Sequence, residues 1–193
     1  MSTERVIVHS SIVDDFTSEF KKVITEKFGS AHNCPVTVTA TSAKMNRALI
    51  TDALAKGAKL VYGDVTAVDA KVENKMRPVV LGDVTPDMDV YATESFGPSV
   101  SLYTFDTDEE ALALANDTEY GLAGAVFTED LRTGIRIAKQ LKVGAAHINS
   151  MTVHDEFALP HGGCKKSGFG RFNGKQGLEE FTMYKTVSWT DNS

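Results

Sequence analysis

Three histidines, His147, His154 and His161, recur at intervals of seven residues, with Asp155 and Glu156 beside the second. An imidazole changes charge near neutral pH, and a neighbouring carboxylate can accept or orient its proton, so this run has the makings of a general acid/base group. The same residues also suit a solvated loop containing one hydrogen-bonded histidine. Both readings stand at the level of spacing. A metal site is not expected: three histidines are enough ligands for zinc, but nothing in their spacing puts two of them on one helix face. Cys164, between Gly163 and Lys165, has Lys165, Lys166 and Arg171 nearby to favour a thiolate, but reads more simply as a small turn residue.

The glycines from Gly162 to Gly170 invite a phosphate-loop reading, which the register refuses. Gly163 and Gly168 have the separation of such a loop, but Phe169 stands where its lysine is required. After Gly168 and Gly170, the third glycine of a dinucleotide fingerprint falls on Asn173. No nucleotide-binding motif is legible.

The elements that must position these residues follow from periodicity. Arg5 to Val8 reads as a strand, and Ile12 to Phe28 as a helix ended by Gly29, with Phe16, Phe20 and Phe28 facing the core. Cys34 to Thr39 has strand character. Met45, Leu49, Ile50 and Leu54 mark a second helix closed by Gly57, and Lys59 to Tyr62 is extended. Pro78 to Leu81 and Ser99 to Phe105 are strands flanking a polar connection at Asp83 to Asp87, and Thr107 to Asn116 is helical. A strand at Ala123 to Phe127, a helix from Asp130 to Leu141 and a strand at Ala145 to Ile148 compose a βαβ unit, which predicts parallel strands in an α/β fold. The polar tail Asp191, Asn192 and Ser193 is a candidate for disorder.

The 193 residues are 42% hydrophobic and carry a formal net charge of -6, which fits one core and argues against a general binder of nucleic acid. No apolar run is long enough for a membrane span, and two cysteines cannot build a disulfide framework. The sequence predicts a soluble, cytoplasmic protein.

Ordered motifs then carry a resemblance. Glu94-Ser95-Phe96-Gly97-Pro98, Ala115-Asn116 with Tyr120-Gly121-Leu122-Ala123, Asn149, and Pro160-His161-Gly162-Gly163 with Lys165, Ser167-Gly168, Gly170-Arg171 and Gly174 together resemble the C-terminal catalytic half of the aldehyde dehydrogenase superfamily. The resemblance covers essentially the whole chain. It implies a three-layer α/β catalytic domain over residues 1–185, without the Rossmann cofactor domain, followed by a C-terminal oligomerisation strand and tail over 186–193 that includes Thr186 to Trp189. The opening residues are similar to those that follow the family's nucleophilic cysteine, which puts Met1 directly after it. Neither Cys34 nor Cys164 matches that nucleophile.

Position by position, the resemblance implies that Glu94 matches the glutamate contacting the nicotinamide-side ribose and Phe96 the aromatic beside it, here the vestigial edge of a cofactor site, with no cofactor expected to be held. Asn149 matches an asparagine at a strand end beside the active site. Thr152, Val153 and His154 match the loop at the substrate entrance, and His161 stands where the family most often has phenylalanine. The run Asn149 to Glu156 is most similar to the benzaldehyde, salicylaldehyde and vanillin dehydrogenases, which suggests an aromatic or apolar carbonyl ligand.

Three functions are compatible with these residues. The favoured expectation is a cofactor-independent enzyme, moving protons with His154, His161, Asp155 and Glu156 in a cleft where Asn149, Thr152, Val153 and Phe157 bind the carbonyl compound and Val153, Phe157 and Leu159 exclude water. The others are a pseudoenzyme docked on a full-length relative, and a fragment of an NAD(P)-dependent aldehyde dehydrogenase. A homodimer or larger assembly is expected in each case, because an apolar edge strand seeks a partner.

Overall fold

Val79, Val80 and Leu81 decide the layer plan, because successive strand side chains point to opposite faces and all three are almost wholly buried. A strand buried on both faces needs a layer on each side. The computed structural model describes residues 2–29, 33–65 and 72–191. Met1 and the tail residues Asn192 and Ser193 lie outside them. The chain forms two compact units, 1–118 and 119–193.

The first unit runs β1 (Arg5–His9), α1 (Val13–Phe28), α2 (Ala40–Ala55), β2 (Lys59–Tyr62), β3 (Val79–Gly82), α3 (Asp89–Ala92), β4 (Ser99–Phe105) and α4 (Asp108–Asn116). Its sheet has the order β1-β4-β3-β2, with β1 and β3 parallel to β4 and β2 antiparallel at the edge. On one face Val79, Leu81 and Tyr103 pack with Ile50 and Ala53 of α2, with Leu114 of α4 against them. On the other, Val8, Val80 and Leu102 pack with Ile24, and Phe16 and Phe20 of α1 close over them. Burial of each large aliphatic side chain here contributes about 1.5–3 kcal/mol. Helix starts are fixed by side chains: Thr39 Oγ1 accepts from the Ser42 N–H at 3.0 Å, and Thr107 with Glu110 forms a reciprocal capping box before α4.

Three expectations for this unit need correction. Cys34 to Thr39 is not a strand and makes a single bridge, Val36 to Lys75. The Thr37 hydroxyl donates within hydrogen-bonding distance of the carbonyls of Thr39 and Asn74, and Asn74 Nδ2 donates to the Thr37 carbonyl, so side chains take up groups that a ladder would use. Phe28, at the end of α1, is exposed rather than in the core. In α2 the buried face is Ala43, Asn46, Leu49, Ile50 and Ala53, one step round from the expected stripe, leaving Met45 exposed.

The second unit contains β5 (Tyr120–Gly121), β6 (Ala123–Val126), α5 (Leu131–Ala138), β7 (Ala145–Ile148), β8 (Cys164–Lys165) and α6 (Gly174–Glu179). β6, α5 and β7 form the expected βαβ unit with parallel strands, and β5 pairs antiparallel with β8. α5 begins after Asp130, whose carboxylate accepts from the N–H groups of Arg132 and Thr133. It ends at Ala138, three residues earlier than the periodicity predicts, as the chain turns at Lys139. Thr186 to Trp189 is exposed and forms no strand among the described residues. No helix among the described residues is long and apolar enough to cross a membrane.

Candidate functional site

β7 delivers the histidine run. His147 lies within it, and Asn149 follows its last residue with a φ of 54°, a left-handed conformation that asparagine tolerates better than most residues. The Asn149 side chain continues the sheet pairing: Oδ1 accepts from the Thr128 N–H at 2.9 Å and Nδ2 donates to the Thr128 carbonyl at 2.8 Å. Those two bonds tie the start of the loop to the end of β6. Asn149 is thus a positioning residue in this unit.

Beyond it the ionisable residues divide into two pairs. His154 Nε2 lies 3.1 Å from Glu156 Oε1, and its ring centroid is 5.0 Å from that of His147, the two planes tilted by 58°. His147 Nε2 is buried with no hydrogen-bond partner among the described residues, and burial, then the nearby His154 and His161, lower its pKa. The second pair is looser. His161 Nδ1 is 4.0 Å from Asp155 Oδ1, beyond hydrogen-bonding distance. His161 is only 7% exposed; its backbone exchanges two 2.8 Å hydrogen bonds with Phe172 and its ring packs on the Phe172 ring. Asp155 is held by Asn173 Nδ2 at 2.7 Å. Asn173 has a φ of 65°; the sequence shows it only as the place where a fingerprint glycine is missing, although the Asn173-Gly174 pair is itself a signal for such a turn.

The apolar residues expected to keep water out do not do so in this unit. Val153 and Leu159 are exposed and Phe157 is 89% exposed, because the loop runs over the surface without an apolar layer above it. Thr152 is half-buried. Cys164 is occupied structurally: Sγ lies 3.0 Å from the Lys142 carbonyl, and its backbone pairs with Gly121 in the β5–β8 bridge. Lys166 pairs with Glu119, and Arg171 Nη1 donates to the carbonyls of Gly163 and Gly170. No group of three or more His, Cys, Asp or Glu residues placed to hold a metal ion occurs among the described residues.

In the first unit, Glu94 and Phe96 lie on the segment leading into β4. The Glu94 carboxylate has no hydrogen-bond partner among the described residues, and burial followed by the charge of Glu4 raises its pKa. Phe96 has a φ of 46° and is 63% exposed, an aromatic held outward in a conformation that bulky residues seldom adopt.

The sequence pattern of the aldehyde dehydrogenase family matches residues 1–187. The chain belongs to the aldehyde dehydrogenase family. Within that family it is 40% identical over 194 residues to a vanillin dehydrogenase of Pseudomonas sp. (strain HR199 / DSM 7063), and 39% identical over 193 residues to a benzaldehyde dehydrogenase of Bacillus subtilis (strain 168). Each alignment covers 97% of this chain and 39% of the relative. The crystal structure of a salicylaldehyde dehydrogenase from Pseudomonas putida G7 complexed with salicylaldehyde superposes with a TM-score of 0.84 at 30% identity, covering 98% of this chain and 40% of the other. The chain therefore has the α/β architecture of aldehyde dehydrogenases and spans about two fifths of the length of these relatives.

Proposed function

We propose that this chain is the portion of an NAD(P)-dependent aromatic aldehyde dehydrogenase that supplies one edge of the cofactor site and the loop at the substrate entrance. The observation that carries this reading is the pairing of Glu94 and Phe96: a carboxylate without a hydrogen-bond partner among the described residues, two positions from an exposed aromatic in a strained conformation. These residues fit a ribosyl nicotinamide, since a carboxylate accepts from adjacent ribose hydroxyls and an aromatic face packs on a flat heterocycle. A nicotinamide held by Glu94 and Phe96 would supply the hydride acceptor for aldehyde oxidation. Within the other unit, the bonds from Asn149 to Thr128 fix the start of the loop bearing Thr152, Val153 and His154. Cys164 is not the attacking thiol in this reading, because its Sγ lies 3.0 Å from the Lys142 carbonyl and its backbone pairs with Gly121. The similarity to vanillin, benzaldehyde and salicylaldehyde dehydrogenases supports an aromatic aldehyde as substrate.

Saturation-transfer NMR with NAD+ tests the reading. One edge of a site binds weakly, with a Kd of about 1 mM or higher. Saturation is expected at the nicotinamide and its ribose more than at the adenine, and is expected to vanish in Glu94→Ala and Phe96→Ala. Equal transfer to both ends of the dinucleotide, or transfer surviving both substitutions, overturns it.

The histidine pairs support a second reading, the cofactor-independent enzyme. His147, whose pKa is lowered by burial and then by the nearby His154 and His161, borders the His154–Glu156 pair. Proton transfer on a carbonyl compound through His154 and Glu156, with Asp155 and His161 as the second pair, is the chemistry this arrangement offers. Under this reading the Glu94 and Phe96 substitutions leave turnover unchanged.

A further inference from the structure

The segment from Glu94 to Gly97 is pinned from two sides by residues far away in sequence. From one side, the Glu4 carboxylate accepts from two consecutive backbone N–H groups: Oε2 from Ser95 and Oε1 from Phe96, both at 3.2 Å. The Ser2 hydroxyl adds a 2.5 Å hydrogen bond to Glu4 Oε1. From the other, Asn46, which is 0% exposed, donates through Nδ2 to the Ser95 carbonyl, while the Ser99 hydroxyl donates to Asn46 Oδ1 at 2.6 Å. Gly97 makes this approach possible, because a Cβ there would stand 2.2 Å from Asn46 Nδ2. Between these two holds sits Phe96 with its positive φ. A strained residue persists only where its surroundings over-determine it, and here both backbone polar groups of Ser95 and the N–H of Phe96 have fixed partners.

We propose that Glu4 is a positioning residue: its carboxylate latches the Ser95 and Phe96 amides and thereby sets the direction in which the Glu94 carboxylate and the Phe96 ring face their ligand. The proposal rests on the cofactor-edge reading for the identity of that ligand, a ribosyl nicotinamide, and on the hydrogen bonds alone for the latch itself. A carboxylate suits the task. It has two acceptor oxygens for two parallel N–H donors, and bonds to a charged acceptor are stronger than neutral ones. Glu4 also places a negative charge close enough to Glu94 to raise that residue's pKa after burial has done so. The latch and the binding carboxylate are therefore coupled electrostatically as well as through the backbone.

The test compares Glu4→Ala and Glu4→Gln with the unmodified chain by NMR. In Glu4→Ala, exchange of the Ser95 and Phe96 amides is expected to accelerate about tenfold to a hundredfold, while the Val79, Val80 and Leu81 amides keep their protection. Glu4→Gln retains one acceptor oxygen and loses the charge, so it should preserve at least one of the two amides and lower the titration midpoint of Glu94. That downward shift is a readout a purely structural role for Glu4 would not require. Unchanged amide exchange in Glu4→Ala, or an unmoved Glu94 midpoint in Glu4→Gln, overturns the proposal; if Glu4→Ala fails to fold, Glu4→Gln decides by the same two readouts. With NAD+ as probe, nicotinamide saturation should fall in Glu4→Gln. Should the amides and Glu94 respond while NAD+ shows no saturation even with the unmodified chain, the latch stands and the cofactor-edge reading fails.

Discussion

Gly144→Ala is expected to destabilise the unit 119–193 by about 3 kcal/mol or more, at the upper end of what an inserted methyl does in a packed interior. A Cβ on Gly144 would lie 1.7 Å from the Gly162 carbonyl oxygen and 2.7 Å from its carbon. Both are backbone atoms, so no rotamer change relieves the overlap; the chain at Gly162 must move. Gly144 is also tied down on its own side, its N–H directed at the carbonyls of Gly121 and Leu122 at 3.0 and 3.1 Å. Displacement of Gly162 carries His161 with it and breaks the paired 2.8 Å bonds between His161 and Phe172. Hydrogen exchange followed by mass spectrometry should show His161 and Phe172 losing protection in the variant before Val79 to Leu81 does. Gly124→Ala is the matched control. The nearest atoms to its Cβ are methyl groups of Leu141 and Val143 at 3.1 Å and beyond, which can yield, so its effect should be less than about 1 kcal/mol. Equal effects from the two substitutions would show that the Gly144–Gly162 approach does not hold the loop.

The parts of the fold that were legible in the sequence are those written in local patterns. The βαβ unit announced itself because Asp130 caps α5 and the flanking strands are short apolar runs, and the sheet of the first unit because β1, β3 and β4 are apolar where both faces are covered. The site was less legible. Glu94, Phe96 and Asn149 could be named only through family resemblance, since a carboxylate and an aromatic two positions apart have no pattern of their own. What fixes them escaped altogether: Glu4 and Asn46 act across 91 and 49 residues of sequence. A signal for Asn46 did exist. It shares a helical face with Leu49, Ile50 and Ala53, and a polar side chain on such a face must find buried partners. Taking Met45 instead of Asn46 as the inward residue turned the helix by one position and hid the network.

That network yields a prediction whose size depends on pH. Asn46→Ala removes the donor to the Ser95 carbonyl and the acceptor for the Ser99 hydroxyl, both in buried surroundings, at about 1–3 kcal/mol for each group left without a partner. A loss of about 2–6 kcal/mol in urea denaturation is therefore expected, with the Glu94 to Gly97 segment the first to lose amide protection. Asn46→Asp is more discriminating because it keeps the shape. Protonated, the introduced carboxyl can donate to the Ser95 carbonyl and accept from Ser99, reproducing both bonds; ionised, it can only accept, and turns a negative charge toward a carbonyl oxygen at a position with no exposure. Its folded pKa must then lie above its unfolded value of about 3.9. A group raised in this way keeps its stabilising contribution below the unfolded pKa and loses it as pH rises through the folded one. Relative to the unmodified chain, Asn46→Asp should be near parity at about pH 4 and increasingly destabilised toward neutrality, whereas the deficit of Asn46→Ala should not vary with pH. A pH-independent deficit in Asn46→Asp would mean that the Ser95 carbonyl does not depend on Asn46 as a donor, and would remove one of the two holds on Phe96.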